Sequence, residues 1–190
     1  MCEKTINVLQ RLSNLLDVKR CLVILKAFIL CHFTYCSLVW HFCGAKNTAK
    51  LEKLNIRGIR FVYQDFTTSA EKLLSDKNVS SLHTQRLRRL LIHVFKVIHS
   101  LAPNMLLDMY NVNQVRRSRN VMPLHVPRVL TTKFGLNSVR YLGCKLWNNL
   151  DNELKASDSF VQFKNGLLSW TGPTCKCSLC SYMPLSAANV

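Results

Sequence analysis

The sequence predicts a mostly α fold: an irregular bundle of about six helices with a basic loop and a cysteine-bearing C-terminal tail. Three observations carry this expectation. Apolar side chains recur at three- and four-residue intervals over long stretches, the spacing of one helix face. No pair of strand-like runs appears. Hydrophobic residues make up 48% of the 190, too many for a disordered chain and enough for a buried core. No fixed-period repeat runs through the chain.

The elements follow in order. Asp17 precedes a long apolar stretch over 21–44; it is placed to cap that helix, and Gly44 to end it. The stretch has the length of a bilayer span, but Lys26, His32 and His41 interrupt it. A charge near the centre of a span costs a few kcal/mol, so a buried helix is expected, with a membrane-associated basic protein as an alternative. A second helix covers 48–63, with Leu51, Leu54, Phe61 and Val62 on its apolar face. Lys50, Lys53, Arg57 and Arg60 fall at i, i+3, i+7 and i+10 and make a separate basic stripe. A third helix covers 79–101, with Leu87, Leu90, Leu91, Val94, Ile98 and Leu101 on one face. Arg86, Arg89, His93 and Lys96 line another face of it.

Pro103 opens a short helix over 104–110, since proline is tolerated in a first turn. Residues 111–133 hold two prolines, several asparagines and Arg116, Arg117, Arg119, Arg128 and Lys133, so a basic loop is expected there. A helix over 138–150 carries Val139, Leu142, Leu146, Trp147 and Leu150 on one side. Another covers 157–168, with Ser157 as cap, Asp158 in the first turn and Phe160, Phe163 and Leu167 inward. The expected organisation is a helical region 1–110, the loop 111–133, a helical pair 134–170 and the tail 171–190. The expected core includes Phe28, Trp40, Leu90, Phe95, Trp147 and Phe163.

Charge points to a partner. Lys plus Arg number 26 against 10 Asp plus Glu, a formal charge of +16. A compact chain with that excess repels itself, and a polyanion relieves it. Nucleic acid is the commonest polyanion and anionic membrane the other candidate, against an unpartnered basic surface. The nine cysteines are an odd number, and the start "MCEKTINVLQRL" has no apolar signal core. Cysteines at 2, 21, 31, 36, 43 and 144 sit in apolar sequence, which fits reduced thiols in the cytoplasm or nucleus.

Catalytic apparatus is not expected. No aspartate pair stands ready for two divalent cations, as a polymerase or nuclease needs. Neither a phosphate-binding glycine loop nor a Gly-x-Ser-x-Gly elbow occurs. His32 and His41 lie among aromatics, where a core histidine is the simpler reading. Cofactors are none, with one open case. "TCKCSLC" places Cys175, Cys177 and Cys180 together, the last two at chelating spacing. Zinc needs four ligands, so His125 or Cys144 would have to complete the set; a truncated site or an idle tail is the alternative. A redox pair lacks its βαβ setting.

"CHFTYCSLVWHFCG" (31–44) followed by "KLEKLNIRGIRFVY" (50–63) resembles the region after the polymerase core in non-LTR retrotransposon (LINE-type) reverse transcriptases. The order continues. "SLHTQRLRRLLIHVFKVIHSLAPNML" (81–106) resembles their basic helix ending in Ala-Pro. "FGLNSVRYLGCKLWNNL" (134–150) resembles the stretch closing on Leu-Trp-Asn-x-Leu, and "SDSFVQFKNGLLSW" (157–170) the segment after it. The resemblance implies a helical, thumb-like piece of an RNA-directed DNA polymerase, with the catalytic aspartates and the endonuclease in the part before it. A thumb holds template and primer by their backbones, which agrees with the basic stripes. Lys50, Lys53, Arg57 and Arg60 would follow one run of phosphates, and Arg86, Arg89 and Lys96 another, with Arg116, Arg117 and Arg119 adding charge. The partner implied is RNA or DNA. Several retrotransposon proteins of this kind carry a zinc-knuckle-like element in the C-terminal segment. The alternative is a protein-interaction module whose apolar faces meet a polymerase core.

Overall fold

Cys21, Leu25, Ile29 and Phe33 recur every four residues, and all four are buried. A straight α-helix would turn such a row by about 40° per step away from the core. The chain avoids this by widening. In the computed structural model, which describes residues 2–111 and 122–173, α2 (Val18–Leu25) passes into a π-helical turn, Lys26–Leu30, before α3 (Cys31–Thr34). The wider turn winds less per residue and brings the row back inward.

The expected single apolar helix is therefore interrupted. It breaks outright at Cys36, which takes a left-handed conformation (φ 45°), before α4 (Ser37–Trp40). Trp40 Nε1 donates to the Tyr35 carbonyl at 2.9 Å and fastens the break. Asp17 stands at the N-cap of α2 without a side-chain capping bond; its carboxylate lies 3.4 Å from Arg20 instead. Gly44 does not close this segment but stands at the N-cap of α5 (Ala45–Tyr63). Phe28, expected in the core, is 60% exposed, because the widened turn keeps Ile29 inward and swings Phe28 out. No helix among the described residues is long and apolar enough to cross a membrane.

The class is mostly α, as expected, though among the described residues the helices are more and shorter than six. Before α2 comes α1 (Cys2–Leu12), with Ile6 and Leu9 fully buried. After α5 come α6 (Ala70–Asp76), opened by a Ser69 hydroxyl that accepts from Lys72 N, and α7 (Leu82–Ile98). A 3-10 helix covers Asn104–Met109, and a second π-helical turn Thr132–Leu136. Then come α8 (Val139–Asn148), α9 (Asn152–Lys155) and α10 (Phe160–Gly166). The cap of α10 is Ser159, whose hydroxyl accepts from Gln162 N; Ser157 is buried and donates to the Leu154 carbonyl.

The described chain divides into two compact units. The first runs to Arg86 and takes in Pro173, and the second is Leu87–Gly172, so the division falls inside α7. In the first, Ile6, Leu9, Leu25, Ile29, Phe33, Ile59, Val62 and Leu73 share one core. A carboxylate sits inside it. Glu52 is fully buried on α5, and its two oxygens accept from Leu82 N at 3.1 and 3.2 Å. A negative charge on the free N–H groups that open a helix satisfies the donor and complements the helix dipole.

In the second unit Phe95, Trp147 and Phe163 form the centre. The Phe95 and Phe163 rings stack with centroids 4.3 Å apart, and Trp147 lies 5.9 Å from Phe163. Trp147 Nε1 donates to the Met122 carbonyl at 3.0 Å. Asn148 pairs with Leu124 in both directions, accepting from its N–H and donating to its carbonyl, each at 2.9 Å. The Leu-Trp-Asn-x-Leu stretch thus fastens an irregular segment onto α8. Lys155 is buried and donates to the Asn148 carbonyl at 3.1 Å, closing the end of α8; burial pushes its ammonium below the ordinary lysine range. Gly143 lets Tyr110 approach: a Cβ there would lie 2.8 Å from the phenolic oxygen. Burial raises the Tyr110 hydroxyl above its usual range.

Removing the Glu52 carboxylate leaves the buried Leu82 N–H without its acceptor. Glu52→Ala is expected to lower stability by about 2–3 kcal/mol, and Glu52→Gln by less, since it keeps one oxygen. Urea denaturation followed by circular dichroism measures both.

Candidate nucleic-acid interface

α5 is two-faced. Thr48, Glu52, Asn55, Ile56, Ile59 and Val62 are buried. Lys46, Lys50, Lys53 and Arg57 are exposed. At about 100° per residue these four, with Arg60, fall within about 80° of helix circumference. Glu52 lies between Lys50 and Lys53 in sequence but is turned about 120° from the centre of the row, into the core. Among the described residues no carboxylate pairs with Lys46, Lys50, Lys53 or Arg57.

The row is broader than the sequence reading had it. Arg57 donates to the Asn7 side-chain oxygen at 3.0 Å, which sets α1 beside α5. Lys4 and Arg11 share the Asn7 face of α1, at i−3 and i+4, and both are exposed. Lys4, Arg11 and Lys46 were missed, Lys46 because the helix was expected to begin at Thr48. The pairing of α1 with α5 had no local signal in the sequence.

Arg60 belongs to the row by register but not by role. Its guanidinium donates to the Phe66 and Thr68 carbonyls, each at 2.9 Å, and is only partly exposed. It pins the loop between α5 and α6. That loop starts at Gln64, left-handed at φ 52°. Asp65 then turns it, accepting from Thr68 N at 3.0 Å and Thr67 N at 3.2 Å. The bonds from Thr68, then those from Thr67, hold the Asp65 carboxyl below its ordinary value.

The stripe expected on α7 does not persist. Arg86 is 2% exposed, in the same helix row as buried Leu82 and Leu90. Its guanidinium lies 4.9 Å from the Trp40 ring centroid, and its Nε and Nη1 have no hydrogen-bond partner among the described residues. A cation over an indole face recovers part of the lost hydration. Arg89 is exposed, while Lys96 sits half-buried with Nζ 4.9 Å from the Phe160 ring centroid. His93, between them, is pushed below the ordinary histidine value by burial and then by Lys96. Arg88, which the stripe omitted, donates to the Trp170 and Leu168 carbonyls.

Arg116, Arg117, Arg119, Cys175, Cys177 and Cys180 lie outside the described residues. Of the two suggested completing ligands, Cys144 is fully buried with its thiol raised by burial, and His125 is exposed. No three His, Cys, Asp or Glu side chains gather to hold a metal among the described residues. The class these features define is a mostly α protein with a one-sided basic helix face. Comparison with protein-family models, curated proteins and solved structures finds no match to this chain.

The two kinds of cation separate by mutation. Arg60→Ala should lower stability by about 1–3 kcal/mol through loss of two charge-assisted bonds. Lys50→Ala should stay within about 0.5 kcal/mol, as an exposed side chain that holds nothing. Parallel urea titrations measure the difference.

Proposed function

We propose that this chain is a non-catalytic, nucleic-acid-binding part of a retrotransposon-type reverse transcriptase, gripping the sugar–phosphate backbone with the outer face of α5. The observation that carries the reading is the row Lys46, Lys50, Lys53 and Arg57, exposed on one face while Glu52 is turned inward. A row about 16 Å long, at 1.5 Å per residue, spans several phosphates. Phosphate contacts of this kind position a strand without reading its bases. The residues quoted for the reverse-transcriptase resemblance support the parentage. Lys4 and Arg11 widen the track. The formal charge of +16 fits the same partner.

A second reading, a protein-interaction module, is favoured by Val23, Phe28, Tyr35 and Val39, each at least 60% exposed between α2 and α4. Such apolar side chains fit a protein partner such as a polymerase core.

A salt titration separates the two. Fluorescence anisotropy of labelled oligonucleotides should give an affinity that falls steeply with salt and hardly changes with base sequence. Lys50→Gln with Lys53→Gln and Arg57→Gln should flatten the log–log slope by about 2–3, near 0.7–0.9 per contact removed. Absence of binding at low salt, together with self-association of the chain, favours the interaction module instead.

A further inference from the structure

Beside the basic row lies a hollow of about 400 Å³. Its floor is apolar: Ile56 and Phe61 are buried, and Phe66 stands over it, 55% exposed. The Phe66 ring tilts at 60° to Phe61 with centroids 5.3 Å apart, leaving most of its own surface to solvent. Lys53 and Arg57 border the hollow, and the Arg57 guanidinium sits 5.6 Å from the Phe61 centroid. An exposed phenylalanine at a loop tip is ordinarily free to move. Here the backbone under the ring is held, because Arg60 donates to the Phe66 carbonyl and Asp65 turns the chain just before it, and the ring leans on Phe61. An aromatic platform on a held backbone therefore stands beside two cations that, among the described residues, have no carboxylate partner.

We infer that this hollow takes one unpaired base of a single-stranded nucleic acid, stacked on Phe66, while Lys53 and Arg57 hold the flanking phosphates. The charge of the border selects an anionic occupant. The flat apolar floor selects one that carries an aromatic face next to its anion. A single strand offers both at every nucleotide, and base–aromatic stacking tolerates any sequence. A duplex does not, because its bases are already stacked on each other. The inference rests on the proposed backbone-binding function and adds to it a preference for single strands over duplexes.

The test uses the full chain, a labelled 12-nucleotide thymidine strand, an abasic strand of the same length, and vesicles of phosphatidylserine in phosphatidylcholine. Wild-type protein should bind the thymidine strand about tenfold more tightly than the abasic one. Phe66→Ala should remove that margin and leave abasic binding within about twofold, and Phe66→Trp should keep it. A melting curve of each variant checks that Arg60 still closes the loop. Equal affinity for the two strands, or equal loss on both with Phe66→Ala, overturns the inference while phosphate binding stands. Failure of wild type to bind even the abasic strand at low salt overturns the backbone reading as well. Loss of vesicle binding with Phe66→Ala, with both strands unaffected, assigns the hollow to lipid and overturns the inference.

Discussion

The hydrogen bond that the Leu82 N–H donates to the Glu52 carboxylate organises the first unit. A glutamate between Lys50 and Lys53 on a solvated helix would be drawn to one of them at i+1 or i−2 only weakly, and to neighbouring turns more strongly. Here it is fully buried, with both oxygens on the first N–H of α7. Two consequences follow from one contact. α7 gains a negative charge at its positive end. The outer face of α5 is left with cations and no carboxylate of its own. A buried charge is tolerated only when donors surround it, and the start of a helix supplies donors that nothing else in the helix can satisfy.

Arginines and lysines of this chain thus divide by what they hold. Arg60 holds a loop, Arg88 holds the carbonyls after α10, Lys155 holds the end of α8, and Arg86 lies against Trp40. Each gives up water for carbonyl oxygens or a ring face. Lys46, Lys50 and Lys53 give up nothing and keep their charge in solvent, where it acts at a distance. A high net charge is by itself a weak guide to binding, because part of it is internal scaffolding.

Long periodic segments were legible in the sequence. α5 and α7 repeat apolar residues over more than four turns and α8 over nearly three, and these faces with that of α10 supply the aromatic centre of Phe95, Trp147 and Phe163. The break in the first apolar segment was not legible, since a left-handed Cys36 and a π-turn have no composition signal. α9 is four residues long, too short for a period to register, and α6 buries only the adjacent pair Leu73 and Leu74, which marks no helical spacing. The burial of Arg86 and Glu52 left a trace. Leu82, Arg86 and Leu90 share one row, as do Thr48, Glu52 and Ile56, so each charged residue stands in a buried line. Charge type outweighed register in the sequence reading, and register was the better guide. The proposal that the basic face binds nucleic acid rests on its chemistry and on the resemblance of the quoted motifs.

The most direct measurement is lysine accessibility in the bound state. Brief acetylation with and without a saturating oligonucleotide, read by mass spectrometry, reports each lysine separately. The account predicts protection of Lys46, Lys50 and Lys53, with Lys4 beside them, while Lys72 and Lys77, exposed on and after α6, react as in the free protein. Equal protection of all exposed lysines, or protection confined to Lys72 and Lys77, would contradict it.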